Sequence, residues 1–172
     1  MDAPSSAARR GRVRTRDEHL HRRFHRRPKP LEEAFDFCCR NETHEKHLQP
    51  GLPVAGVQKC EFFDGHSLKE GDHRRVTLTD GSVLDEQILD YAPPSLHRYR
   101  WFTGLRGPFA LLVRSGTGTW TFTEVGGGTQ IDWSYDFALR SALAYPLALP
   151  VMPLFRSWLK QSLQSIQGEL SG

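Results

Sequence analysis

The sequence predicts an α+β fold: an antiparallel sheet of about six to seven strands packed against one long C-terminal helix, with two short helices after the first strand. Three observations predict it. Short strand-like segments follow one another from residue 57 to residue 139, separated by "DGHSLKEGD", "DG", "APPS", "GLRGP" and "GGG", all rich in turn formers. The segment "TQIDWSYDFAL" alternates without a fault, Ile131, Trp133, Tyr135 and Phe137 against Asp132, Ser134 and Asp136, so one sheet face is buried and the other is wet. Finally, Leu154, Phe155, Trp158, Leu159, Ser162, Leu163 and Ile166 recur at helical spacing.

The elements follow in order. Glu18–Arg26 alternates loosely, with Leu20 and Phe24 on one face, and reads as strand one. "PKPLEEAFDFCCR" reads as a helix: Pro28 and Pro30 suit its start, and Glu32 and Glu33 occupy the first turn, where the helix dipole favours them. Leu31, Ala34, Phe35 and Cys38 make its apolar face. A second short helix spans Glu42–Leu48, ended by Gly51 and Pro53. Strands are expected over Val57–Phe63, His73–Thr79, Val83–Asp90, His97–Thr103, Ala110–Glu124 and Thr129–Leu139. The chain closes with the helix in "PLFRSWLKQSLQSIQGEL".

The hairpin "RRVTLTDGSVLDEQILDY" contains an anomaly. Arg74 and Glu86 keep step with Val76, Leu78, Leu84 and Ile88, so one charge of each sign points where the apolar residues point. A three-residue loop, Thr79-Asp80-Gly81, with Gly81 in the left-handed region, sets Val76 opposite Leu84 and Arg74 opposite Glu86. A two-residue loop brings Asp85 and Gln87 onto the apolar face and mixes polar with apolar, so the first register is preferred. It makes Arg74 and Glu86 a cross-strand ion pair on the covered face. A buried pair is costly to desolvate and often stabilises no better than apolar residues. It therefore indicates a polar-floored cavity, or else an internal salt bridge with a purely ordering role.

The aromatic residues fit a cavity. Tyr99 and Trp101 alternate with Arg98 and Arg100; Trp120 and Phe122 share a face, as do Trp133 and Tyr135; Trp158 lies on the covering helix. Rings with polar tips line pockets well, and plain core packing is the competing reading for each. The candidate cavity set is Arg74, Glu86, Tyr99, Trp101, Trp120, Phe122, Trp133, Tyr135 and Trp158. The loop at residues 104–108 and the proline-broken apolar stretch at 142–155 are expected to border its mouth.

Composition sets the outer limits. The 172 residues are 38% hydrophobic and 25% charged, ordinary for a globular domain with a real core. No apolar run reaches the roughly 18 residues of a transmembrane span, and no secretory signal opens the sequence. The net charge of +3 hides an asymmetry. Residues 1–30 carry ten Lys/Arg and three Asp/Glu, the remainder thirteen and seventeen. Residues 1–16 read as a disordered basic arm and 17–172 as the folded domain. An acidic body argues against nucleic acid as the main partner; the arm and the apolar stretch leave a transient membrane contact open. Cys38, Cys39 and Cys60 lack C-x-x-C spacing and read as reduced thiols, consistent with a cytoplasmic location. His19/His21 and His44/His47 are not HExxH, and neither "GTGT" nor "GGGTQ" is a phosphate loop, so no metal and no cofactor is expected.

"GDHRRVTLTDGSVLDEQILDYAPPSLHRYRW", then "GTGTWTFTEVGGGTQIDWSYDF", then a Pro-rich lead into a C-terminal helix, resembles the START-like helix-grip superfamily (SRPBCC) over residues 18–168, and looks most like its polyketide cyclase/dehydrase-related branch. The resemblance implies the helix-grip fold, a curved antiparallel sheet wrapped around the long C-terminal helix with a hydrophobic cavity between them. It also implies binding of a lipid, polyketide or aromatic compound there, or cyclase/dehydratase-type catalysis. In the catalytic reading Arg74 polarises a carbonyl and Glu86 acts as general acid or base.

Overall fold

The computed structural model describes residues 12–16 (as backbone), 29–63, 68–102 and 104–172. Its elements are β1 (Arg12–Arg16), α1 (Leu31–Cys39), α2 (Asn41–His47), β2 (Val57–Phe62), β3 (His73–Leu78), β4 (Val83–Ala92), β5 (Leu96–Trp101), α3 (Gly107–Leu112), β6 (Val113–Val125), β7 (Gly128–Leu139), α4 (Tyr145–Ala148) and α5 (Met152–Leu170). The seven strands form one antiparallel sheet in the order β1-β7-β6-β5-β4-β3-β2. With α5 on its covered face, this is the α+β helix-grip architecture expected from the sequence.

The β3–β4 hairpin has the register argued above. Val76 pairs with Leu84 and Arg74 with Glu86. Gly81 has φ of 79° and donates its N–H to the Leu78 carbonyl, while the Leu78 N–H returns to Ser82 O. Asp80 Oδ1 accepts the Ser82 N–H at 2.8 Å and closes the turn with its own side chain.

Two expectations are corrected. Residues 12–16, assigned to a disordered arm, pair with β7 from Arg12 opposite Ala138 to Arg16 opposite Ser134. Strand pairing is made by main-chain groups, and the outer edge of β7 offers a row of them; apolar periodicity, the signal used on the arm, does not report this. The strand expected over Glu18–Arg26 lies outside the described residues. Second, Ala110–Leu112 is not the start of β6 but the end of α3. "FALLV" is apolar at every position and has no period to separate helix from strand. Pro108 in the first helical turn is the local cue for the helix.

The chain from Ala142 to Leu170 is helical almost throughout, passing through two short 3-10 turns and α4 before α5. Pro146, Pro150 and Pro153 stand in the first turns of successive segments, where their missing N–H costs no helical bond. The prolines thus divide the run into segments without turning it aside. Ala144, Ala148, Met152, Phe155, Leu159, Leu163 and Ile166 form its buried stripe. A polar clasp fixes α5 to α2: His47 bonds Ser165 Oγ through Nδ1 at 2.8 Å and Glu169 through Nε2 at 2.8 Å, and Lys46 also reaches Glu169.

Candidate functional site

The hairpin places Arg74 and Glu86 side by side on the covered face, both almost wholly buried. Arg74 donates Nε–H and Nη2–H to the same oxygen, Glu86 Oε2, at 3.0 and 2.7 Å. Its Nη1 donates to Asn41 Oδ1 at 3.2 Å, tying α2 to the sheet. The guanidinium carbon lies 5.6 Å from the centroid of the Tyr99 ring. Burial works against the Arg74 charge, but Glu86, the nearby Cys60 and the hydrogen bonds outweigh it, and the guanidinium stays protonated.

Tyr99 and Trp101 owe their positions to two glycines on the neighbouring strand. Tyr99 pairs with Gly118 and Trp101 with Gly116. A Cβ at Gly118 would stand 2.5 Å from Tyr99 Cζ, and one at Gly116 would stand 2.6 Å from Trp101 Cζ2. The "GTGT" segment is therefore a bed on which the two rings lie flat across the sheet. Lying so, Tyr99 brings its hydroxyl 2.7 Å from that of Tyr135. Burial raises the pKa of both phenols and holds them protonated; at Tyr99 the Glu86 charge adds to it, and at Tyr135 the Tyr99 hydroxyl does.

These groups form the floor of a cavity between the sheet and α5. The walls are mainly apolar, with Leu48, Val57, Val76, Leu84, Phe137 and Phe155 contributing, and Asp80 and His44 adding polar groups. Leu105, Arg106 and Phe109 line it from the segment leading into α3, and Pro53, Val54 and Ala55 from the loop before β2. Of the expected lining, Arg74, Glu86, Tyr99, Trp101, Tyr135 and Trp158 border this space.

Trp120, Phe122 and Trp133 do not. Trp120 stacks on Trp133 with centroids 4.3 Å apart, and Phe35 of α1 meets Phe122 edge-on at 5.0 Å. They are solid core at the α1 end of the sheet. Alternation tells which face a ring occupies, but where along that face a helix presses down is a tertiary matter. The segment at 104–108 does border the cavity, whereas the 142–155 stretch reaches it only through Phe155.

Three groups of the site carry no clear signal in the sequence: Asn41, which holds Arg74 from beside the cavity, and His44 and Cys60, which line it. Asn41 had no signal, because its role depends on α2 docking beneath β3. In the sequence His44 stands out only through its spacing from His47, which fits no metal motif. Its Nε2 lies 3.0 Å from the Cys38 carbonyl oxygen, and burial, then the Arg74 and His97 charges, hold its pKa well below the ordinary value. Cys60 also lines the cavity, its thiol pushed up to about 12 by burial. Among the described residues no group of three or more His, Cys, Asp or Glu is placed to hold a metal ion.

Known proteins bear on this arrangement. Among solved structures, Ara h 8.0201 matches with a TM-score of 0.64 at 17% identity, over 92% of this chain and 96% of that one. The major latex-like protein 151 of Panax ginseng matches with a TM-score of 0.60 at 13% identity, over 92% and 96%. The di-domain ARO/CYC BexL from the BE-7585A biosynthetic pathway matches with a TM-score of 0.59 at 19% identity, over 94% of this chain and 50% of that one. At such identities the likeness is one of fold. Comparison with curated protein sequences gave no match. The model of the family described as "Polyketide cyclase / dehydrase and lipid transport" matches residues 53–170, well over half the chain and the part that carries β2 to β7, most of the cavity lining and α5. The protein therefore belongs to the polyketide cyclase/dehydrase and lipid transport family.

Proposed function

We propose that the protein binds a hydrophobic small molecule, a lipid, polyketide or aromatic compound, in this cavity. The observation that carries the reading is the combination of apolar walls with one polar floor, built from Arg74, Glu86, Tyr99 and Tyr135. Apolar walls supply affinity through area removed from water, and the few polar groups set orientation. Two phenols held protonated suit a ligand that presents an oxygen at its buried end. Native mass spectrometry of the purified protein tests this: a co-purifying mass released on denaturation, or stabilisation by members of a lipid and polyketide panel, is expected. A chain that carries nothing and is stabilised by no panel member contradicts it.

A catalytic reading draws on one observation, that Glu86 borders the cavity while two Arg74 donors share its Oε2. In a cyclase or dehydratase the carboxylate moves the proton and Arg74 stabilises developing negative charge on a carbonyl oxygen. Glu86→Gln separates the two readings. Ligand binding survives this substitution in both, and turnover of a polyketide-like substrate is abolished only if Glu86 transfers the proton.

A further inference from the structure

The helical run from Ala142 carries two stripes. The buried one has been described. Beside it, Leu143, Leu147 and Leu154 follow helical spacing and face solvent, at 83%, 63% and 49% exposure, and Leu149 is half exposed between them. Leu111 of α3, at 76%, joins the same surface. Arg140 holds the two parts together: its N–H donates to Leu112 O at 2.9 Å and its Nε–H to the Ala110 carbonyl, while α3 packs against α4. A scattered exposed leucine is ordinary, but five on two joined helical elements are not.

The charges on the segments that carry this surface have one sign. Arg106 precedes α3, Arg114 follows it, Arg140 opens the helical run and Arg156 lies in the first turns of α5; all four are exposed. No Asp or Glu occurs between Tyr91 and Thr123, or between Phe137 and Gly168. A protein partner for a leucine-rich face would be selected by shape and mixed polarity. An apolar strip on segments whose only charged residues are cationic instead matches an anionic bilayer, whose acyl region takes the leucines and whose head groups take the arginines.

We infer that the face formed by Leu111, Leu143, Leu147, Leu149 and Leu154 docks on the surface of an anionic lipid bilayer. The same elements reach the cavity, through Phe109 from α3 and Phe155 from α5, so a docked molecule holds its cavity beside the membrane. Docking does not depend on what the cavity binds, and vesicle pelleting without added ligand reads it alone.

The experiment is co-sedimentation of the full chain with phosphatidylcholine vesicles, with and without phosphatidylglycerol, at low and high salt. The expected result is pelleting that requires phosphatidylglycerol, weakens with salt, and falls about tenfold or more in the Leu143→Asp/Leu147→Asp double variant. Both side chains point to solvent, so the variant folds; its circular dichroism and its cavity-probe binding are expected to match the parent. No pelleting of the parent overturns the inference. So does pelleting that the double variant retains, which assigns it to the basic residues 1–30. A concentration-dependent dimer abolished by the double substitution, with no pelleting, also overturns it and makes the face a contact between copies.

Discussion

Arg74 and Glu86 face each other across β3 and β4, and two Arg74 donors meet a single Glu86 oxygen, Oε2, beneath a cavity with mainly apolar walls. Truncating one partner leaves the other charge buried and unmatched. Glu86→Leu alone is expected to lower unfolding stability by about 3–5 kcal/mol, and Arg74→Met alone by a similar amount. The double variant is expected to recover most of that loss, because both charges then leave together. Urea unfolding of the four proteins checks this; two additive single losses would show that the charges do not act as a pair.

Gly116 and Gly118 are expected to be intolerant of even one methyl group. Gly116→Ala and Gly118→Ala each press a Cβ into an aromatic ring, at 2.6 and 2.5 Å, and should cost about 1–3 kcal/mol apiece. Gly118→Ala must also displace Tyr99 from Tyr135, so it should weaken cavity binding more than its loss of stability accounts for. Equal melting temperatures for parent and both variants would contradict the ring-over-glycine account.

Acid should weaken the fold through two buried histidines. Burial, with the Arg74 charge adding to it, lowers the His97 pKa to about 3, and His44 is held well below its ordinary value. An unfolded histidine titrates near about 6.5. The folded chain therefore binds fewer protons over this range. The contribution of each ring is complete above that value and is lost as pH falls toward the folded pKa, at about 1.4 kcal/mol per pH unit per ring. His97 lies among Tyr91, Tyr99 and Trp120, so His97→Phe is a fair replacement. It should remove one such increment from the slope between pH 6 and pH 4. An unchanged slope would show that His97 does not enter the acid transition.

Much of the fold was legible because its signals are local. The Asp80-Gly81 turn chooses the register, and the register puts Arg74 opposite Glu86. The alternation of β7 and the stripe of α5 identify the two surfaces that meet. The extent of the cavity was less legible. Trp120, Phe122 and Trp133 share the sheet face with Tyr99 and Tyr135 but pack into solid core, Trp120 on Trp133 and Phe122 against Phe35 of α1, and this packing decides which rings remain beside open space. Asn41 likewise becomes a site residue only when α2 reaches Arg74.

The central claim is that the cavity takes a hydrophobic molecule, and a titration with 1-anilinonaphthalene-8-sulfonate tests it most directly. Trp101 and Trp158 line the space and serve as internal fluorescence donors. The account predicts saturable binding of one probe per chain, quenching of tryptophan emission, and loss of both in Leu105→Trp, which fills the mouth from a half-buried position without touching the floor. Absence of saturable binding, or binding of equal strength in Leu105→Trp, would contradict it.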